Sequence, residues 1–271
     1  MSQYTKNESL LTVRNLSVVH GTNTVLKDIN LEIKNIVRPG LSQGQVVALL
    51  GPSGIGKTQL FRCLAGLQKP TTGEIMLNGD KHVSKPGEVG VVAQNYTLFQ
   101  HRTVLSNLKV VTKIRGLTET DALKEIDKHL ENFGLTEHKN KYPAQLSGGQ
   151  RQRLAIIQQL LCSKYFLLMD EPFSGLDVVS KSKVCNLIQQ VGSAHELNTI
   201  ILTTHDIHAA LEVADTVWIL GRTFEGQKNK GATLVKELDL IERGLAWSPD
   251  VKNLPAFKET ATEIENLFFS L

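Results

Sequence analysis

The chain has 271 residues, of which 41% are hydrophobic and 21% are charged, as in a globular protein that can bury a sizeable core. The 30 basic residues nearly balance the 27 acidic ones, so the net charge of +3 gives no support for nucleic-acid binding. This balance argues against a partner that is held mainly by charge.

The cysteines and the N-terminus indicate the compartment. Cys63, Cys162 and Cys185 are an odd and widely spaced set, which argues against a disulfide framework or a zinc site and favours a reducing compartment. The polar N-terminus lacks the apolar core of a signal peptide, and no apolar run is long enough to cross a bilayer. We therefore expect a cytoplasmic chain that reaches any membrane through a partner.

The first 94 residues predict short strands, one of which leads into a glycine-rich turn. The predicted strands cover residues 11–19, 25–33, 46–50, 74–78 and 89–93. Pro39, Gly40 and Gly44 predict a loop over 35–45, and a helical pattern over 58–67 follows the turn directly.

From residue 95 the pattern changes from strand to helix. Apolar residues at helical spacing predict helices over 103–116 and 120–133. We interpret residues 95–150 as a helical subdomain inserted into an α/β core. Its apolar stripes are interpreted as the core of that subdomain rather than as a specialised site.

Strands return in the second half of the chain and alternate with helices. Continuous apolar runs predict strands over 165–169, 199–204 and 216–220, with helices over 180–192 and 206–214 between them. This alternation predicts an α/β fold with a mostly parallel sheet. Residues 225–231 predict a polar surface loop, and 255–271 predict a helix that docks on the core.

The glycine-rich turn has the spacing of a phosphate-binding loop. It stands between a buried strand and a helix, the context that such a loop requires, and its glycines allow a tight turn whose N–H groups converge on an anion. Lys57 is expected to reach the β- and γ-phosphates of a nucleotide, and the Thr58 hydroxyl to bind Mg²⁺. The alternative is a plain glycine turn. The predicted nucleotide-binding residues are Gly51, Pro52, Ser53, Gly54, Ile55, Gly56, Lys57 and Thr58.

Two carboxylates follow the apolar run 165–169. Asp170 ends the strand, where the metal-holding acid of a phosphate-loop ATPase is expected, so we predict that it binds Mg²⁺. Glu171 is expected to point elsewhere, without an ion partner, and to orient or deprotonate an attacking water. The alternative is a solvent-exposed acidic pair at a strand end. The phosphate loop favours the hydrolytic interpretation.

A second glycine-rich helix start, Leu-Ser-Gly-Gly-Gln, covers residues 146–150. Ser147 stands in an N-cap position, and the helix start is another potential anion site. Two phosphate-type sites far apart in one chain are explained if the second serves a neighbouring molecule.

These motifs together resemble the ATP-binding cassette (ABC) family, specifically the nucleotide-binding subunit of an ABC transporter, over residues 10–222. The resemblance implies that residues 146–150 contact the γ-phosphate of ATP held on a partner's phosphate loop. It also implies that Gln94 contacts Mg²⁺ and the attacking water, that Glu171 is the catalytic glutamate and that His205 contacts the γ-phosphate. The residues predicted to bind nucleotide across a dimer are Ser147, Gly148, Gly149, Gln150 and Asp177.

The same resemblance implies the domain organisation. Residues 10–94 and 151–222 would form a P-loop ATPase core with an antiparallel β subdomain at the N-terminus. Residues 95–150 would form the inserted helical subdomain, and 223–271 an extension that packs on the core.

Two features depart from the family pattern. The family usually stacks an aromatic residue on adenine at the place held here by His20, whose smaller ring predicts a weaker base contact. The loop over 35–43 is longer than the family's usual turn and has no functional interpretation.

The resemblance implies an ATPase that works as a dimer of cassettes, with ATP and Mg²⁺ as cofactors. The implied partners are a second copy, integral membrane permease subunits contacted near residues 94–104, and a substrate-binding protein, with no direct nucleic-acid contact. Separate membrane subunits favour a bacterial importer, attached to the cytoplasmic face of the membrane. Residues 239–271 are similar to the tails of nitrate- and sulfonate-type cassettes.

Three other functions are weighed against this one. A non-transport ABC ATPase acting on nucleic acid or the ribosome would need long coiled coils or a second cassette. A non-hydrolysing regulatory subunit would be expected to lack Glu171 or His205, and both are present. A small-molecule kinase would not explain residues 146–150.

Overall fold

The computed structural model describes residues 4–38, 44–77, 82–83, 87–162, 166–193, 197–222, 231–248 and 250–271. Its strands are β1 (Thr5–His20), β2 (Asn23–Val37), β3 (Gln45–Leu50), β4 (Thr72–Leu77), β5 (His82–Val83), β6 (Val89–Val92), β7 (Phe166–Asp170), β8 (Thr199–Thr204), β9 (Thr216–Gly221) and β10 (Thr233–Asp239). Its helices are α1 (Lys57–Leu64), α2 (Val104–Ile114), α3 (Glu119–Asn132), α4 (Gly148–Leu160), α5 (Val178–Ser193), α6 (Ile207–Val213) and α7 (Pro255–Ser270). Short 3₁₀ helices cover Thr136–His138, Pro143–Gln145 and Val251–Asn253.

The strands form two sheets. An antiparallel sheet has the order β2-β1-β4-β5, and a larger sheet has the order β10-β9-β3-β8-β7-β6. In the larger sheet β10 is antiparallel to β9, and the other pairs are parallel. The phosphate loop follows β3, which lies between β8 and β9, so this loop leaves the middle of the sheet. The predicted α/β class, with an antiparallel β subdomain and inserted helices, is confirmed.

Strand β3 is buried on both faces, as its continuous apolar sequence predicts. Val46, Ala48 and Leu50 face the hydrophobic cluster that includes helices α2 to α7. Val47 and Leu49 face the other cluster, which lies between the larger sheet, α1 and the antiparallel sheet. The sheet is therefore a middle layer, and the strand that delivers the phosphate loop is anchored from both sides.

The predicted helical subdomain is present. Thr103 and Thr118 cap α2 and α3 by accepting hydrogen bonds from backbone N–H groups three residues on. Leu108, Ile126 and Leu130 are fully buried, and their cluster continues into one face of the larger sheet. The apolar stripes thus form a core, as predicted, and that core is continuous with the core of the sheet.

Helix α7 docks on the core through Phe257 and Ile264, as predicted. Among the helices that the structure describes, none combines the length and the apolarity that crossing a bilayer requires.

The cysteines behave as small apolar side chains. Cys63 and Cys185 are buried, Cys162 is half-buried, and all three are free thiols. Burial raises the pKa of Cys63 to about 11 and that of Cys185 to about 12, which disfavours their thiolates.

One predicted boundary is wrong, and one strand was missed. The loop predicted over 35–45 is shorter, because β2 continues to Val37 and β3 begins at Gln45. Strand β10 was not predicted; the structure places it at the edge of the larger sheet, paired with β9. The rest of the predicted loop, residues 39–43, lies outside the described residues, as do Asn78, Tyr165 and residues 223–230.

A buried carboxylate ties the C-terminal extension to the strand of the phosphate loop. Asp215 is fully buried and accepts hydrogen bonds from the Val46 N–H at 2.8 Å, the Trp247 indole at 2.5 Å and the Arg38 guanidinium. Burial raises the pKa of Asp215 to about 6, although these three donors oppose the shift. One side chain therefore joins β3, the residue that follows β2 and the C-terminal extension.

Candidate active site

The phosphate loop has the backbone conformation that its glycines predict. Gly54 and Gly56 have φ angles of 76° and 119°, in the region that favours glycine. Gly56 is the N-cap of α1, and a side chain there would clash, because a Cβ atom would lie 2.9 Å from the Leu26 side chain. The first turn of α1 carries no acidic residue. No carboxylate in that turn therefore offsets the positive N-terminal end of the helix dipole, which faces the loop.

Lys57 folds back over this loop. Only 7% of the residue is exposed, and its ammonium donates hydrogen bonds to the Gly51 carbonyl at 2.8 Å and the Pro52 carbonyl at 3.3 Å. The ammonium also lies 3.7 Å from Glu171 Oε1. Burial lowers the pKa of Lys57, and the charges of Glu171 and Asp170 oppose that shift. The lysine is held inside the loop, where a phosphate would bind.

Glu171 lies between two basic groups at the end of β7. Its Oε1 faces Lys57 and its Oε2 lies 2.9 Å from His205 Nδ1. The expectation that Glu171 has no ion partner is therefore wrong. Sheet order explains the contacts: β3, β7 and β8 are parallel, so their carboxyl ends bring the phosphate loop, Glu171 and His205 to one edge.

The backbone of Glu171 is unusual. Its φ angle is 47°, which lies in the left-handed region that residues other than glycine rarely occupy. Such conformations concentrate at functional sites, where the surrounding structure holds them. Here the Glu171 N–H donates hydrogen bonds to the Thr203 carbonyl at 3.0 Å and to the Thr203 hydroxyl at 3.2 Å.

Asp170, the predicted metal ligand, accepts a hydrogen bond of 2.6 Å from the Thr203 hydroxyl. Sequence reasoning missed Thr203. The only signal for it is a polar residue in the apolar strand β8, two positions before His205. Gln94, two residues after the end of β6, donates a hydrogen bond of 3.3 Å to the hydroxyl of Ser174, which precedes Asp177 by three residues.

The oxygen atoms at this edge suit Mg²⁺. The predicted ligands supply a carboxylate (Asp170), an exposed hydroxyl (Thr58) and an exposed amide (Gln94), and hard cations prefer such oxygens. Within the residues that the structure describes, no group of three or more His, Cys, Asp and Glu side chains could hold a metal. The donor set therefore fits a Mg²⁺ that takes part of its coordination from nucleotide phosphates and water.

The second glycine-rich motif, residues 146–150, is called the signature below and leads into α4. Ser147 is the N-cap, and Ser147 and Gln150 form a reciprocal capping box, with hydrogen bonds of 3.3 and 2.9 Å. The Gln150 amide nitrogen also lies 2.7 Å from His138 Nε2. Both ends of this side chain thus bind within the chain. Ser147, Gly148 and Gly149 are exposed.

The exposed signature residues line a cleft of about 950 Å³ between the helical subdomain and α5. None of the described residues that line it belongs to the phosphate loop. Asp177 is exposed just before α5 and accepts hydrogen bonds from the backbone N–H and the hydroxyl of Ser180, which lower its pKa. The signature and Asp177 thus face solvent in this single chain.

His20 ends β1 and is exposed. Its Nε2 lies 3.2 Å from the amide oxygen of Gln59 in the first turn of α1. This contact places the imidazole beside the phosphate-loop helix. Its role in binding the base stays a prediction.

A family model for the ABC transporter matches residues 35–174. The chain belongs to the ABC transporter family. It is 37% identical over 211 residues to the sulfate/thiosulfate import ATP-binding protein CysA of Synechocystis sp., with 77% of this chain and 57% of that protein covered. It is 31% identical over 252 residues to the nitrate import ATP-binding protein NrtD of Synechocystis sp., with 91% and 89% covered.

Solved structures of the family have the same fold. The chain matches cbiO1 of Clostridium perfringens, part of the ABC transporter complex cbiONQ, with a TM-score of 0.70 and 27% identity over 87% of this chain and 90% of that one. An ATP-binding subunit of another ABC transporter, at 23% identity and a TM-score of 0.66, supports the fold alone. The chain covers 57% of the length of three of the sulfate/thiosulfate relatives that it matches.

In this ABC-family chain the predicted site residues fall into two groups. The first contains Lys57, Asp170, Glu171 and His205, which the parallel strands bring into one network. The second contains Ser147, Gly148, Gly149 and Asp177, which are exposed. Their division matches the expectation that a second copy completes the site, and that expectation stays a prediction.

Proposed function

We propose that the chain is the ATP-hydrolysing subunit of an ABC importer. The observation that carries the proposal is the Glu171 carboxylate, which lies between Lys57 and His205 at the edge of the sheet where the phosphate loop begins. A half-buried carboxylate that lies between a lysine ammonium and an imidazole, close to a phosphate site, is placed to accept a proton from a water that attacks the γ-phosphate. A subunit that binds nucleotide without hydrolysing it would not need a carboxylate held in this position.

Each residue of this network has a proposed role. The N–H groups of residues 53–58 and the Lys57 ammonium bind the β- and γ-phosphates, with His205 against the γ-phosphate. Thr58, Gln94 and Asp170 would hold Mg²⁺, which when bound neutralises the charge of the phosphates. Glu171 orients the water and takes its proton at a carboxylate oxygen. His205 Nδ1 fixes the other carboxylate oxygen by the 2.9 Å contact.

The active unit is proposed to be a dimer around two ATP molecules. The exposure of Ser147, Gly148 and Gly149, away from the phosphate loop of their own chain, supports a role toward a second copy. The γ-phosphate would then join the two chains, and hydrolysis would remove that link, so ATP shifts an open–closed equilibrium. Gln150 is proposed to act through its cap on α4, because its amide already binds Ser147 and His138.

The partners are proposed to be integral membrane permease subunits, contacted near residues 94–104, together with a substrate-binding protein. The relatives named as import ATP-binding proteins support this assignment and a peripheral position on the cytoplasmic face of the membrane. Those relatives are named for sulfate, nitrate and spermidine import, so similarity at this level does not select the cargo.

The proposal is tested by replacing Glu171 with glutamine, which keeps the shape and removes the base. We expect ATP hydrolysis by the purified chain to fall at least about 100-fold, the usual contribution of a positioned base, while ATP still binds. Glu265→Gln is the matched control, because Glu265 is exposed on α7. Phosphate release at saturating ATP and Mg²⁺ measures the effect. Normal turnover in Glu171→Gln would contradict the proposed function.

A further inference from the structure

Thr203 occupies a central place in the larger sheet. It is the penultimate residue of β8, with Asp170 of β7 and Leu49 of β3 as its neighbours across the two adjacent strands. It is 1% exposed. Its hydroxyl is therefore a buried polar group that needs partners within the protein.

Both partners of that hydroxyl are predicted active-site groups. The Glu171 N–H can only donate, so at 3.2 Å the hydroxyl oxygen accepts. The single hydroxyl proton is then donated to Asp170 Oδ1 at 2.6 Å, a length typical of a bond to an ionised carboxylate. The direction of both hydrogen bonds follows from the chemistry of the groups.

These two bonds fix the geometry of two neighbouring carboxylates. The bond to Oδ1 orients the Asp170 carboxylate, so that Oδ2 remains for a cation. The bonds from the Glu171 N–H to the hydroxyl and carbonyl of Thr203 hold Glu171 in its left-handed conformation, with φ of 47°. That conformation turns the Glu171 side chain toward Lys57 and His205.

We propose that Thr203 is a positioning residue that sets the orientation of Asp170 toward Mg²⁺ and of Glu171 toward the attacking water. The inference rests on the proposed function. Groups that orient a metal ligand through a hydrogen bond typically affect metal affinity or activity by about 10- to 100-fold when they are removed. The effect of Thr203 should therefore appear first in the Mg²⁺ dependence.

The test is Thr203→Val, which keeps the branched shape and removes the hydroxyl. We expect kcat to fall about 10- to 100-fold and the Mg²⁺ concentration for half-maximal activity to rise about tenfold. A fluorescent ATP analogue should bind Thr203→Val normally without Mg²⁺, and the tightening that Mg²⁺ produces in the wild type should be reduced. Thr203→Ser, which keeps the hydroxyl, should have a kcat and a Mg²⁺ concentration for half-maximal activity close to those of the wild type.

Thr199→Val is the matched control. Thr199 is a fully buried threonine at the other end of the same strand, and its hydroxyl donates to the Leu197 carbonyl at 3.4 Å. The same substitution there should leave the Mg²⁺ dependence unchanged. If Thr203→Val does not fold, Thr203→Ala provides the same comparison, with thermal unfolding as the check on folding.

Two outcomes would overturn the inference. One is a Thr203→Val protein with the Mg²⁺ dependence and kcat of the wild type. The other is an equal loss in Thr199→Val, which would indicate a general packing effect. Failure of the proposed function is distinguishable, because it would show as normal hydrolysis in Glu171→Gln.

Discussion

Replacing Glu171 by glutamine is expected to tighten ATP binding as well as to stop turnover. The Glu171 carboxylate lies 3.7 Å from the Lys57 ammonium, and the side chains are 20% and 8% exposed, respectively. A phosphate that binds Lys57 must compete with this ion pair and also approaches the negative charge of Glu171. The substitution removes both costs while the glutamine keeps the volume of the site.

The magnitude follows from the distance. Two unit charges at this separation attract by about 4 kcal/mol at an effective dielectric constant of about 20. Only part of this is recovered on binding, because water and His205 also stabilise Glu171 and because Lys57 keeps its carbonyl contacts. We expect a gain of about 1.4 kcal/mol, which is a tenfold decrease in Kd.

The assay is titration calorimetry with ATP, which Glu171→Gln hydrolyses too slowly to disturb the measurement. The Kd for AMP, which lacks the phosphates that Lys57 binds, should be nearly the same in Glu171→Gln as in the wild type. Glu265→Gln should bind ATP with the wild-type Kd. A Kd for ATP within twofold of the wild-type value would refute the reasoning, as would an equal gain for AMP. Either result would mean that the ion pair does not oppose nucleotide binding.

Two further predictions concern the signature and the buried carboxylate. Ser147→Arg should reduce ATP hydrolysis at least about tenfold, because it would obstruct a phosphate of a second copy. Ser147→Ala, which removes one hydroxyl without obstructing the phosphate, should reduce hydrolysis less and should also remove the helix cap, about 1 kcal/mol of stability. Equal turnover in both variants would argue against a role for Ser147 across a dimer. Burial raises the pKa of Asp215 to about 6, so the folded state binds this proton more tightly than the unfolded state does. The stability that Asp215 gains from this tighter proton binding is therefore present below the unfolded pKa, and it is lost as the pH rises through 6. The free energy of unfolding of the wild type, relative to Asp215→Asn, should fall by about 2 kcal/mol between pH 4 and pH 7. Urea unfolding at the two pH values measures this difference, and a constant difference would contradict it.

Local contacts account for what could be predicted from the sequence. The phosphate loop is one contiguous stretch, and the strand, the glycines and the helix that define it are adjacent in the chain. The same holds for Ser147 as an N-cap, since Ser147 and Gln150 are three residues apart and form their hydrogen bonds inside one helical turn. Helices α2 and α3 were predicted because an amphipathic pattern reports burial directly.

Contacts that depend on the order of strands could not be predicted. Glu171 was expected to lack an ion partner, because its neighbours in the sequence offer none. Its actual partners are brought to it by the parallel arrangement of β3, β7 and β8. Strand β10 was missed for a similar reason, since an edge strand with one partner carries a weaker apolar signal than a buried parallel strand.

The sequence by itself determined the chemistry that is available: a phosphate loop with Lys57 and Thr58, an acidic pair after a buried strand, and a second glycine-rich helix start. The tertiary structure decided which of these groups meet. Register between β7 and β8 places Thr203 opposite Asp170 and beneath Glu171, a contact between residues distant in the chain that no local pattern reports. The physical reason is that side chains in a sheet meet according to strand order and register, and these are set by packing of the whole domain.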